Sequence, residues 1–79
     1  MDLEKEGRNF EALISANKLV PFKFACRTEY SQSRIYDMIK GKVNLRSLTV
    51  AKAMKFASVL GFKSLDEFYK SCGIDLFNE

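Results

Sequence analysis

The chain has 79 residues, of which 47% are hydrophobic and 29% are charged, with four glycines and one proline. A chain of this length buries only about 60 to 65% of its unfolded surface, so we expect one domain, residues 1–79, with one small core. No apolar run approaches the roughly 18 residues that span a bilayer, and the acidic N-terminus is unlike a secretory leader. We therefore expect a cytoplasmic protein with no membrane partner.

The net charge of +3 is distributed unevenly. Residues 1–20 carry −1 and residues 47–79 are neutral, whereas residues 21–46 hold six basic and two acidic residues, a balance of +4. Such a basic segment is typical of a surface that faces an anion such as nucleic acid. From charge alone, an ordinary solvated surface is an equal alternative.

Cys26 and Cys72 are the only cysteines, and the chain has no histidine. Without histidine, a zinc site would lack a usual ligand and a reactive thiol would lack its usual base. We therefore expect two reduced, structural cysteines and no metal. Neither a Ser/His or Cys/His pair nor a Gly-rich phosphate loop occurs. We therefore expect a protein that is not an enzyme and needs no cofactor.

Four apolar residues at helical spacing predict a first helix that ends near Ala16: Leu3, Phe10, Leu13 and Ile14. Asn17 is expected to take the left-handed conformation that follows a helix. Pro21 suits the first turn of the next helix, where its missing N–H costs nothing, so helix 2 is predicted from Pro21 to about Thr28.

Helix 3 is predicted between Ser31, whose hydroxyl is expected to cap it, and Gly41, which stops it. Ile35, Met38 and Ile39 form its predicted buried stripe. The opposite face consists of long, polar or hydrogen-bonding side chains: Gln32, Ser33, Tyr36, Asp37 and Lys40, with Arg34 at the flank.

Helix 4 is predicted to follow the capping residue Thr49 and to end at Gly61. Its expected apolar face holds five residues: Val50, Ala53, Met54, Ala57 and Leu60. Ser64 and Glu67 have the spacing of a capping box, which predicts helix 5 from there to about Ser71.

Helices 2 and 3 are separated by only three residues, the layout of a helix-turn-helix, in which the second helix of the pair enters the major groove of DNA. The chain resembles the DNA-binding domain of the phage lambda repressor and Cro family, including Xre-like bacterial regulators, over roughly residues 10–69. The matching positions are Ala25, Ile35, Met38, Lys40-Gly41-Lys42 and the segments 56–61 and 65–68.

This resemblance implies an all-α fold of five short helices, with a helix-turn-helix at about residues 21–41. It also implies a sequence-specific DNA-binding transcriptional regulator, such as a repressor, whose recognition helix is at about residues 32–40. Double-stranded DNA is then the expected partner.

The resemblance also implies which side chains contact DNA, because Gln32-Ser33 is similar to the Gln-Ser pair with which lambda-type repressors read bases. A Gln amide can donate one hydrogen bond to adenine and accept another from it at the same time. The candidates for base contact are Gln32, Ser33, Tyr36 and Asn44. The candidates for phosphate contact are Arg34, Lys40, Lys42, Arg46 and Lys23.

Three departures from the family pattern stand out. Glu29 occupies a turn position where Gly with positive φ is usual. Val20 replaces a Ser or Thr cap, and Pro21 removes an N–H that would otherwise face a phosphate. Asp37 lies on the expected DNA face, where we favour its pairing with Arg34.

The apolar C-terminal region, Ile74, Leu76 and Phe77, either covers the small core or contacts another chain. We favour a homodimer contact, since a dimer that binds two half-sites gains affinity without a larger domain. The alternative function is a helix-turn-helix scaffold used as a protein-interaction module, either an anti-regulator or an antitoxin component. Glu29, Asp37 and this tail motivate that alternative.

Overall fold

A computed structural model describes residues 2–74 of the chain. It contains five α-helices: α1 (Leu3–Ala16), α2 (Pro21–Thr28), α3 (Gln32–Ile39), α4 (Val50–Val59) and α5 (Leu65–Ser71). One turn of 3-10 helix, Leu45–Ser47, lies between α3 and α4. Residues 2–74 contain no β-strand, which confirms the all-α prediction. Across the same residues, no helix has both the length and the apolar character needed to cross a membrane.

The core is built around four phenylalanines, one from each of four helices: Phe10 in α1, Phe24 in α2, Phe56 in α4 and Phe68 in α5. All four are fully buried. The ring of Phe10 lies 5.4 Å from that of Phe24 and 5.8 Å from that of Phe56, measured between centroids. Because large aromatic rings bury much apolar surface and pack in defined geometries, this cluster fixes the four helices around one centre. Helix α3 adds Ile35 and Met38 to the same core.

All five α-helices end in the same way, with a left-handed residue and two backbone hydrogen bonds that close the last turn. Glycine takes this position after three of the helices: Gly41, Gly61 and Gly73. Lys18 takes it after α1 (φ 59°) and Glu29 after α2 (φ 54°). The prediction of a left-handed Asn17 is therefore wrong by one residue. Asn17 has φ −92°, and its Nδ2 donates to the carbonyl oxygens of Leu13 and Leu60 instead.

Side-chain caps start three of the helices. Thr49 Oγ1 accepts the N–H of Lys52, as predicted for α4, and Ser64 Oγ accepts the N–H of Glu67, both at 3.2 Å. The predicted capping box of α5 is only half formed, because the Glu67 carboxylate does not accept the N–H of Ser64 in return. Asp2 does the same for α1. Ser31 stands at the start of α3, but its hydroxyl makes no capping hydrogen bond, so that prediction is wrong. The first turn of α3 therefore has no acceptor from this side chain.

The predicted apolar face of α4 is too broad. Ala53, Ala57 and Leu60 are buried, as expected, and Phe56 joins them. Val50 and Met54 are instead 65% and 57% exposed. Helical spacing places them on a flank of α4 that the core does not reach.

Candidate nucleic-acid interface

Helix α3 has an inner and an outer face, as its pattern predicts. Ile35 and Met38 are buried in the core and Ile39 is half-buried. Five side chains are exposed on the other side: Gln32, Ser33, Arg34, Tyr36 and Lys40. Asp37 is half-buried at the edge of this face. The helix therefore presents one continuous row of polar and hydrogen-bonding groups while its inner side is held by packing.

Helices α2 and α3 pack directly on each other. Ala25 is 4% exposed, which fits a small side chain at a close helix crossing. The residues between the two helices are anchored from both sides. The N–H of Tyr30 donates to the carbonyl oxygen of Ala25 at 3.0 Å, and the Tyr30 ring packs edge-on against Phe56, with centroids 5.2 Å apart. The angle between α2 and α3 is thus tied to the aromatic core.

Glu29 adopts the left-handed conformation itself, with φ 54° and ψ 42°. Its carboxylate lies 3.7 Å from the Lys55 ammonium on α4. Both side chains are well exposed, so this ion pair contributes little to stability. Glu29 thus adopts the positive φ for which glycine is the usual residue at such a turn.

The expected pairing of Arg34 with Asp37 is wrong, because no ion pair joins them. The Arg34 guanidinium instead lies 6.0 Å from the centre of the Tyr30 ring, within cation–π range. The backbone carbonyl of Asp37 accepts the N–H of Lys42 at 2.8 Å and closes the end of α3. Asp37 therefore remains a negative charge at the edge of the outer face.

The C-terminal end of α3 rests against α1. Gly7 is buried in the middle of α1, and a Cβ atom at Gly7 would lie 2.5 Å from the Met38 carbonyl oxygen and would also meet that of Ile39. A Cβ atom at Gly41, just after α3, would lie 2.9 Å from the backbone nitrogen of Glu4. Since only hydrogen atoms fit at these two points, α1 and the end of α3 approach backbone to backbone.

The segment after α3 is held by α5. Leu45 is buried, and its carbonyl oxygen accepts the hydroxyl of Tyr69 at 3.1 Å. Asn44 Oδ1 accepts the N–H of Arg46 at 2.9 Å and caps the 3-10 turn. Burial raises the pKa of Tyr69, the nearby Cys72 raises it further, and the Arg46 guanidinium lowers it.

The candidate DNA contacts fall into two groups. Seven are exposed or largely so: Lys23, Gln32, Ser33, Arg34, Tyr36, Lys40 and Lys42. Asn44 and Arg46 are half-exposed, and both already take part in interactions within the chain. Neither Lys40 nor Lys42 forms an ion pair with another residue of the 2–74 segment. The C-terminal turn of α3 thus presents unneutralised positive charge.

Gly7 and Tyr69 support this surface but were not among the predicted site residues. A glycine inside an amphipathic helix lowers helix propensity, so its presence in α1 was a signal for close packing. Tyr69 carried no such signal, because its partner Leu45 is 24 residues away.

The cysteines differ from each other. Cys72 is buried, and burial together with the nearby Glu6 carboxylate raises the pKa of its thiol to about 12. Cys26 is exposed on α2, and both thiols are free, in agreement with the expectation that the two cysteines are reduced. Within the described part of the chain, no three His, Cys, Asp or Glu side chains come together as a metal site would require.

Ile74 belongs to the core, with 1% of its surface exposed, so it is not available to a second copy in this fold. Leu76 and Phe77 lie outside the described residues. No family model, curated protein or solved structure matches the chain.

Proposed function

We propose that this protein is a sequence-specific DNA-binding regulator of the lambda repressor-like helix-turn-helix type, with α3 in the major groove. The observation that carries the proposal is the outer face of α3. Gln32 and Ser33 are exposed at its start, and Ile35 and Met38 anchor its inner side. A helix of this width fits the major groove of B-DNA, where each base pair displays its own pattern of donors and acceptors.

Gln32 and Ser33 are the proposed base readers. The Gln32 amide both donates and accepts, which matches N7 and N6 of adenine, and such a bidentate contact discriminates by about 1 to 3 kcal/mol. Tyr36 is one turn further along the same helix and is 38% exposed. Its ring suits a thymine methyl and its hydroxyl suits a phosphate.

The cations around α3 are the proposed phosphate contacts. Lys40 and Lys42 lie at its end, Arg34 on its flank and Lys23 on α2. Because contacts to phosphates release counterions, each is expected to contribute about 0.9 to the slope of log K against log salt. These contacts set affinity and orientation, whereas the helix start sets the choice of sequence.

The partial engagement of Asn44 and Arg46 within the chain favours a supporting role for both. Asn44 Oδ1 is used to cap the 3-10 turn, so this atom is not presented to a base. Arg46 follows in the same turn and suits a phosphate near the rim of the surface. The protein acts by binding rather than by chemistry, and the proposal includes no cofactor.

The test is selection from a random-sequence duplex library by the purified protein, followed by sequencing, at two salt concentrations. An enriched short motif supports a specific regulator. Strongly salt-dependent binding without a motif contradicts base reading and leaves an architectural role. No binding at low salt contradicts the proposal and favours the protein-interaction module.

Two substitutions separate the proposed roles. Gln32→Ala is expected to relax the preference at one base position. Lys42→Ala is expected to weaken binding to all sequences similarly and to lower the slope of log K against log salt by about 1. Lys63→Ala is the matched control, because Lys63 is an exposed lysine just before α5, far along the chain from α3. Equal effects of Gln32→Ala on every sequence would contradict its role.

A further inference from the structure

Among the proposed phosphate contacts, Arg34 is held by an aromatic ring. Its guanidinium lies over the face of the Tyr30 ring, 6.0 Å from the ring centre. Lys23, Lys40 and Lys42 are exposed and make no ion pair or ring contact with another residue of the 2–74 segment. Arg34 therefore differs from these lysines, because the fold restricts where its positive charge lies.

The Tyr30 ring is itself fixed by the core. It packs edge-on against Phe56, with centroids 5.2 Å apart, and the Tyr30 N–H donates to the carbonyl oxygen of Ala25 at 3.0 Å. Phe56 is fully buried and also packs against Phe24 in α2. Arg34 is exposed, so it lies at the surface end of a chain of contacts that begins in the aromatic core.

We propose that Tyr30 is a positioning residue for DNA binding, which holds the Arg34 guanidinium ready to contact a phosphate. In the proposed function, on which this role depends, Arg34 is one of the cations that contact the DNA backbone. Tyr30 contributes to affinity through Arg34, without a DNA contact of its own.

The ring contact and a phosphate contact use different parts of the guanidinium. An aromatic ring attracts the positive charge through the face of the ring, whereas the five N–H donors of arginine lie in the guanidinium plane. A phosphate accepts two of these donors at once in a bidentate contact. A lysine ammonium has no planar face and no fixed pair of donors, so it cannot combine the two contacts in this way.

The donors of Arg34 are not taken by a carboxylate. No ion pair joins Arg34 to Asp37 or to another acidic residue of the described segment, 2–74. Tyr30 thus restricts the side chain while it leaves the N–H groups to a phosphate.

The expected benefit is pre-organisation. A long side chain loses rotational freedom when an interface orders it, and this loss weakens binding. Because Tyr30 restricts Arg34 before DNA arrives, less freedom is lost on binding. Exposed contacts between a cation and a ring are weak, so the gain is expected to be about two- to fivefold in Kd.

The test is a double-mutant cycle on the affinity for a labelled DNA duplex of mixed sequence, measured by fluorescence anisotropy at low salt. Tyr30→Leu removes the ring and is expected to raise Kd about two- to fivefold. Arg34→Ala is expected to raise Kd and to lower the slope of log K against log salt by about 1. In the Arg34→Ala background, Tyr30→Leu is expected to cause no further loss.

A purely structural role of Tyr30 gives a different result, because a disturbed α3 loses affinity whether or not Arg34 is present. Equal losses from Tyr30→Leu in both backgrounds therefore overturn the proposal. Tyr30→Phe keeps the ring and is expected to bind DNA with a Kd close to that of the wild type. A Tyr30→Phe variant as weak as Tyr30→Leu also overturns the proposal, since the ring and not the hydroxyl is the proposed support.

Arg34→Lys tests the same contact at an exposed position, where the fold does not depend on the side chain. It keeps the charge but lacks the planar group, and it is expected to raise Kd about two- to fivefold. Arg27→Lys is the matched control, because Arg27 is an exposed arginine on α2 with no ring contact among residues 2–74. It is expected to leave Kd unchanged, and equal effects of the two substitutions overturn the proposal.

Nuclear magnetic resonance of the free protein tests the contact without DNA. Protons over the face of an aromatic ring resonate upfield, so side-chain signals of Arg34 are expected upfield in the wild type and in Tyr30→Phe but not in Tyr30→Leu. Absence of this shift in the wild type overturns the proposal. A wild type that does not bind the duplex overturns the proposed function and the positioning role together, whereas binding without coupling between Tyr30 and Arg34 overturns only the positioning role.

Discussion

The backbone of Gly7 in α1 packs against the carbonyl oxygen of Met38 near the end of α3, so closely that a Cβ atom at Gly7 would lie 2.5 Å from that oxygen. Gly41, just after α3, is similarly close to the backbone of Glu4 in α1. This contact fixes the distance between α1 and the end of α3. In the proposed function, α1 sets the position of the recognition helix although it contributes no DNA contact.

Gly7→Ala is therefore expected to destabilise the protein. In an exposed helix the change would stabilise by about 1 kcal/mol, because alanine is the better helix former. Here the methyl group meets backbone atoms that have no rotamer to change, which costs about 1 to 3 kcal/mol. After the gain in helix propensity is subtracted, we expect a net loss of up to about 2 kcal/mol in the free energy of unfolding. Urea denaturation measures it, with Glu11→Ala on the exposed side of α1 as the control. A more stable Gly7→Ala variant would show that the helices are not in this close contact.

Glu29→Gly is expected to stabilise the protein. A side chain in the left-handed region costs about 1 to 2 kcal/mol that glycine avoids, and the ion pair with Lys55 that is lost is exposed and weak. We expect an increase of about 0.5 to 1 kcal/mol in the free energy of unfolding, after the extra entropy of glycine in the unfolded chain is subtracted. Thermal denaturation measures it. Glu29→Ala, which removes the ion pair but keeps the Cβ atom, is expected to show no gain, and an equal gain in both variants would assign the effect to charge.

Tyr69→Phe is expected to loosen the segment that follows α3. The change removes the hydroxyl that donates to Leu45 and leaves a buried carbonyl oxygen without this partner, at a cost of about 1 to 3 kcal/mol. Hydrogen exchange is expected to speed up at the amides of residues 45–48 more than at those of α2. Tyr36→Phe alters an exposed hydroxyl and serves as the control. Unchanged exchange at residues 45–48 would mean that Leu45 is held by packing alone.

Cys72 is expected to make stability depend on alkaline pH. The pKa of its thiol rises from 9.0 to about 12 on folding, so as pH rises above 9.0 the unfolded chain loses this proton before the folded chain does. The folded state then binds more protons, and stability falls with a slope of up to about 1.4 kcal/mol per pH unit. The raised pKa of Tyr69 acts in the same direction at higher pH.

The measurement is the free energy of unfolding at several pH values from 8 upwards, for wild type and Cys72→Ala. The alanine variant is expected to be less stable at pH 8 but to lose less stability as pH rises. Parallel curves for the two proteins would contradict a role for this thiol. Cys26→Ser, at an exposed position, is expected to keep the wild-type slope.

Local patterns were enough to predict most of the helices, because their signals act over a few residues. Pro21 starts α2, Gly41 follows α3, and Ser64 caps α5, as expected. The exposure of Val50 and Met54 was not predicted, because helical spacing shows which side chains share a face but not how far the neighbouring helices extend over it.

For the candidate site, the sequence predicted the exposed face of α3 but not the contacts of its side chains. The exposure of Gln32 and Ser33 follows from the helical pattern of α3. Arg34 lies against Tyr30 rather than Asp37, because the turn before α3 is folded onto the core and brings the ring there. Contacts of this kind join residues that only the tertiary fold brings together.

The central claim is that α3 reads DNA sequence through its first turn. The most direct measurement is parallel selection from one random duplex library by the wild type and by Gln32→Ala, under identical salt. We expect a motif for the wild type and, for Gln32→Ala, the same motif with the preference lost at one base position and kept at the others. A wild type that enriches no motif, or two motifs that are identical at every position, would contradict it.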